Sequence, residues 1–131
     1  MENQGSFTFS KAERLKSRKT IAALFRSGNS FVAYPLRVVW SVSELGEPGF
    51  ATVVISVPKR NFKTAVQRNR LKRQIREAYR LNKHLFYEHL SSQGKHVSMM
   101  ISYIAKEPES YDKMLEGIHK LIRKFPYEEL K

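Results

Sequence analysis

KRNFKTAVQRNRLKRQIREAYRLNK, residues 59–83, holds 10 of the 24 Lys and Arg of the chain but only 1 of its 12 acids, Glu77, and so supplies 9 of the formal net charge of +12. From Ala65 onward the stretch contains neither Gly nor Pro and consists mostly of good helix formers, which predicts one continuous helix capped by Thr64. At ~100° per residue, Arg68, Asn69, Lys72, Arg73, Arg76 and Arg80 fall within an arc of about 140°. Leu71, Ile75, Ala78 and Tyr79 gather on an adjacent arc of about 100°, so one face packs and the other is positive. Solvated helix faces usually mix signs. Here Arg68/Lys72, Lys72/Arg76 and Arg76/Arg80 are like-charge i,i+4 pairs, each destabilising by ~0.2–0.5 kcal/mol. A polyanion on this face would relieve that repulsion.

Composition narrows the class of partner. A length of 131 residues with 41% hydrophobic and 11% aromatic content predicts one globular domain over residues 9–131, preceded by a flexible N-terminus at residues 1–8. A pI near 10.1 calls for an acidic partner, and nucleic acid is the first expectation. A membrane-surface helix would need a broad apolar face free to insert, whereas the narrow apolar arc here is needed for the core. The absence of cysteine excludes a disulfide scaffold and thiolate metal sites and fits the cytoplasm. No apolar run approaches the ~18 residues of a membrane span, and the N-terminus lacks a signal-peptide core, so a soluble cytoplasmic protein is expected.

Working outward from the basic helix, a lead-in from Phe7 to Leu15 reads as extended, and a first helix runs from about Ser17 or Thr20 to Ser27, stopped by Gly28. Its Ile21, Leu24 and Phe25 share one face, which suits either ordinary core or a binding face. Pro35 opens a strand over residues 36–43, residues 45–49 (LGEPG) form a turn, and residues 50–57 form a β-branched strand expected at the centre of the sheet. Trp40 suits the core or a half-buried platform. The basic helix can continue through His84–Leu90. Residues 97–104 give a further strand, covered on both faces over part of its length. Ser110 caps a last helix whose Tyr111, Leu115, Ile118, Leu121, Ile122 and Phe125 recur at helical spacing. The element order predicts an α+β fold, a single-domain sandwich of a small mixed β-sheet with about three to four helices.

Catalytic chemistry is missing from this pattern. A metal-dependent nuclease needs clustered carboxylates, yet the only Asp is Asp112 and the Glu residues are scattered. His84, His89, His96 and His119 form no i,i+4 pair, and no Gly-rich phosphate loop occurs. No catalytic residue and no protein-held metal is therefore expected. The residues point to binding.

Within the helix, Ala65-Val66, Arg68-Asn69-Arg70, Lys72-Arg73 and Arg76-Glu77 follow in an order that resembles the RNR motif of the bacterial ribonuclease P protein subunit, and the likeness extends from about Phe9 to about Phe125. That resemblance implies a ribosomal-protein-S5-domain-2-like fold with a left-handed βαβ crossover. It also implies the removal of the 5′ leader from precursor tRNA by a ribonucleoprotein whose RNA subunit cuts, with Mg2+ held mainly by that RNA and the substrate. Carried over, Arg68, Asn69, Arg70, Lys72, Arg73, Arg76 and Arg80 contact the RNA subunit, while Phe25, Lys59, Arg60 and Lys106 attend the leader. Phe25 matches the second member of an aromatic pair that the family places here, and Ile21 stands where the first would be. The implied partners are the catalytic RNA subunit and precursor tRNA, with no membrane and no DNA. A ribosomal or general RNA-binding protein without a role in cleavage is the alternative. A helix laid in a DNA major groove is weaker, because half of the helix must pack and no helix-turn-helix partner follows.

Overall fold

The structure is a computed structural model that describes residues 13–44, 51–91 and 93–130. Among these described residues three helices and four strands follow in the order α1 (Arg18–Ser27), β1 (Asn29–Ala33), β2 (Leu36–Glu44), β3 (Ala51–Ser56), α2 (Ala65–Leu90), β4 (Lys95–Tyr103) and α3 (Tyr111–Lys124), with a 3-10 turn at Tyr127–Leu130. The α+β expectation stands, with three α-helices. The frayed N-terminus expected at residues 1–8 and the turn expected at residues 45–49 lie outside the described residues.

The strands form one mixed sheet in the order β1-β2-β4-β3. The β1/β2 and β2/β4 pairs are antiparallel, and β3 runs parallel to β4, the strand it reaches through α2. Two details depart from the sequence. Strand β1 was not foreseen: it folds back on β2 across Tyr34-Pro35, with Ala33 opposite Leu36. Strand β3, expected at the centre for its β-branched residues, lies at the edge. Those residues are partly shielded there because the lead-in covers the outer side, where Leu15 N–H donates to the Val53 carbonyl at 2.9 Å.

Strand alternation gives the sheet two unlike faces. Leu36, Val38 and Trp40 of β2 stand opposite Tyr103, Ile101 and Met99 of β4 and form the core with α2 and α3. Trp40 is core rather than platform, its ring 4.9 Å from that of Phe125. On α2 the buried residues include Leu71, Ile75, Ala78 and Tyr79, as the wheel requires, and continue through Phe86 and Leu90. Burying each large apolar side chain contributes roughly 1.5–3 kcal/mol. Each like-charge pair on the outer face costs only ~0.2–0.5 kcal/mol. Packing therefore fixes the helix and leaves its positive face presented to solvent.

The other face carries Arg37, Val39 and Ser41 of β2 beside Ser102, Met100 and Ser98 of β4. Among the described residues the short helix α1 leans on it, burying Leu24 while Phe25 stays 70% exposed. Gly28 ends α1 without the left-handed turn common after helices. Its φ is −71°, and a Cβ there would lie 2.7 Å from both the Leu24 carbonyl oxygen and Val39 Cγ1. Glycine is required by this close approach of helix end to sheet.

Candidate nucleic-acid interface

The basic helix begins where Thr64 Oγ1 accepts the Gln67 N–H at 3.2 Å. Such a cap satisfies one of the orphan donors of the first turn. Along the next turns Asn69, Arg70, Arg73 and Arg76 are exposed, while Arg68, Lys72 and Arg80 are half-buried. The seven predicted contact residues thus share one helix, but they do not share one role. Arg68 Nη1 donates to the Phe62 carbonyl at 2.7 Å, tying the helix start to the loop before it. Arg80 grips Glu77 with two bonds, Nε to Oε1 at 3.2 Å and Nη2 to Oε2 at 2.6 Å. That grip holds the Glu77 carboxyl below its ordinary range and raises Arg80 above its own. The Arg76/Arg80 repulsion is accordingly offset by the single acid of the stretch.

Lys83 ends the basic run and does not belong to its outer face. It is 1% exposed, and its ammonium binds the Glu13 carboxylate, which also accepts the Tyr87 hydroxyl at 2.6 Å. Tyr79 and Tyr87 surround this pair, and burial pushes both phenols well above the ordinary tyrosine range. One of the charges counted in the stretch is structural.

A second element of the interface opens on the uncovered sheet face, as a cleft of about 380 Å3. Phe25 and Arg60, both predicted from sequence, line it together. Lys59 and Lys106 are exposed but are not among the residues that line it. Arg37 and Ser30 do line it, joined by a bond from Arg37 Nη2 to Ser30 Oγ at 3.3 Å. Neither was foreseen. The signal for Arg37 lay in its alternation with Leu36 and Val38, which turns a lone cation onto the face opposite the core. Pairing an exposed aromatic ring with guanidinium groups over a shallow sheet suits a strand of single-stranded nucleic acid, since bases stack on the ring and phosphates meet the cations.

A cationic helix on one face of the sheet and a cleft of this composition on the other have the make-up expected of a nucleic-acid-binding α+β protein. Comparison with known proteins makes the class specific. The family profile described as Ribonuclease P matches residues 9–125. The ribonuclease P protein component of Porphyromonas gingivalis is 39% identical over 107 residues, covering 82% of this chain and 78% of that one. That of Chlorobium phaeobacteroides is 34% identical over 131 residues, covering 92% and 89%. The ribonuclease P protein of Thermotoga maritima superposes with a TM-score of 0.66 at 23% identity, over 86% of this chain and 97% of that one, which shows the shared fold. The chain belongs to the ribonuclease P protein family, and with it to tRNA processing.

Proposed function

We propose that this chain is the protein subunit of ribonuclease P, which binds the catalytic RNA through the outer face of α2 and holds the 5′ leader of precursor tRNA in the sheet cleft. In this way it assists endonucleolytic removal of the leader to give the mature 5′ end, in the cytoplasm. The observation that carries the reading is the separation of two basic surfaces on one rigid core. The α2 face is a line of cations suited to a folded RNA backbone. The cleft adds the exposed ring of Phe25, suited to an unpaired strand.

In this reading the RNA subunit does the cutting and, with the substrate, holds the Mg2+ that the reaction uses. Among the described residues no group of three or more His, Cys, Asp or Glu is placed to hold a metal ion. Among the described residues no helix is long and apolar enough to cross a membrane.

Reconstitution with the catalytic RNA subunit and precursor tRNA tests the proposal. The protein should stimulate cleavage most at low Mg2+, where phosphate repulsion is least screened. It should cut nothing by itself. Cleavage by the pure protein, with RNA contamination excluded, would assign the chemistry to its own side chains. Failure to stimulate, with RNA binding intact, would favour a general RNA-binding role.

A further inference from the structure

A groove of about 360 Å3 runs along the flank of α2, away from the sheet cleft. Arg14 and Lys16 of the N-terminal segment and Lys72 and Arg76 of α2 line it, together with Leu15 and Val53, Val54 and Ile55 of the edge strand β3. Among the described residues that line it there is no carboxylate. Four cations from two elements thus face one small space, and a doubly anchored segment keeps them there. Glu13 is held by Lys83 and Tyr87, and Leu15 N–H bonds the Val53 carbonyl.

The anchoring follows from helical geometry. At ~100° per residue, Lys72, Arg76 and Lys83 fall within a strip about 40° wide, so the segment that covers Lys83 continues past the other two. Glu13 lies in a 3-10 turn rather than in the extended lead-in expected from sequence, and pairing with β3 begins at Arg14. Glu13 and Leu15 are half-buried, and Arg14 and Lys16 are exposed. Strand parity adds a neutral donor: Val53 turns its carbonyl to Leu15, which turns the Ile55 N–H toward the same outer edge.

We propose that this groove is a phosphate-binding subsite for the RNA subunit, in which Arg14 and Lys16 oppose Lys72 and Arg76 and the Glu13–Lys83 pair acts as their positioning latch. The proposal rests on α2 binding RNA and extends that surface onto the sheet edge. Two successive backbone phosphates between the two rows would each meet cations from both elements, with guanidinium forks able to take their oxygens in pairs. RNA is favoured over an acidic protein because two of the four cations belong to the same helix whose outer face is already basic.

Salt dependence of binding to the catalytic RNA subunit provides the test, since each neutralised phosphate adds about one unit to the slope of log K against log[salt]. An Arg14→Gln/Lys16→Gln double variant changes only exposed side chains, and its slope should fall by about two. Arg73→Gln, outside the groove, should lower it by about one. A normal slope for the double variant with a reduced slope for Arg73→Gln overturns the groove while leaving the α2 reading intact. Normal slopes for both overturn that reading as well. For the latch, Glu13→Gln should lower the slope in the wild-type background but add nothing to the double variant. Equal effects in both backgrounds would make Glu13 merely structural and overturn its positioning role. If Glu13→Gln does not fold, Tyr87→Phe, which removes one bond to the same carboxylate, is read by the same criterion.

Discussion

Arg68 reaches back over the first turn of α2 and donates its Nη1 to the carbonyl oxygen of Phe62, 2.7 Å away, so that one cation of the basic helix also fastens its entry loop. Phe62 is buried, with its ring 5.6 Å from that of Tyr103. The loop held by Arg68 is therefore anchored in the core, and the cations of α2 cannot be interchangeable.

Arg68→Gln is expected to lower folding stability by about 1 kcal/mol, since hydrogen bonds from charged groups contribute ~1.5–3 kcal/mol and this one is only partly buried. Arg73→Gln should leave stability level. Urea denaturation of the two variants checks the difference. Equal midpoints would mean that the Arg68 bond contributes nothing to stability.

Phe25→Ala should weaken binding of leader-bearing precursor more than binding of mature tRNA, because a 70% exposed ring contributes little to the core and much to a stacked base. Loss of one such stack costs ~1–3 kcal/mol. Paired affinity measurements with the two RNAs decide the matter, and equal weakening of both would assign the ring to general contact.

The α2 face was legible in the sequence because its signal is local: Leu71, Ile75, Ala78 and Tyr79 repeat at the helical period, and the charges fill the rest. Lys83 defeated the same logic. By angle it belongs with Lys72 and Arg76, and only the return of Glu13, 70 positions earlier in the chain, turns it into a buried partner. The strand order failed for a similar reason. Val53, Val54 and Ile55 are β-branched whether they lie at the centre or the edge, and the cover supplied by the lead-in is a long-range contact. In the cleft, Phe25 and Arg60 came from a family resemblance, since the i, i+3, i+4 face of Ile21, Leu24 and Phe25 suits a core equally well. Short β1 left no pattern of its own, its residues Asn29 and Ser30 being polar and exposed.

Gly28→Ala should destabilise the protein by ~1–3 kcal/mol, the usual cost of forcing an extra methyl into packed surroundings. One of the two obstructing atoms is a backbone carbonyl, which cannot rotate aside. Relief therefore requires α1 to lift from β2, and the variant should also lose some preference for leader-bearing precursor. A stable variant with wild-type leader preference would show that the end of α1 moves freely.

Alkaline pH offers a test of the core beneath α2. The Tyr103 hydroxyl donates to the Glu107 carbonyl at 2.5 Å, and burial, aided by the Glu109 carboxylate, pushes the phenol from its ordinary value of 10.0 up to about 12. Below about pH 10 both folded and unfolded chains keep the proton, and the stabilisation from this group is whole. Between pH 10 and pH 12 the unfolded chain gives up the proton that the folded chain retains, so stability falls as pH rises. Lysines titrate in the same window, and comparison with Tyr103→Phe removes their contribution. The variant, lacking the hydroxyl and its bond, should be less stable than wild type by ~1 kcal/mol below pH 10. That gap should close as the pH rises through the window. A gap that stays constant to pH 12 would show that the Tyr103 phenol ionises in the folded protein as it does in the unfolded chain.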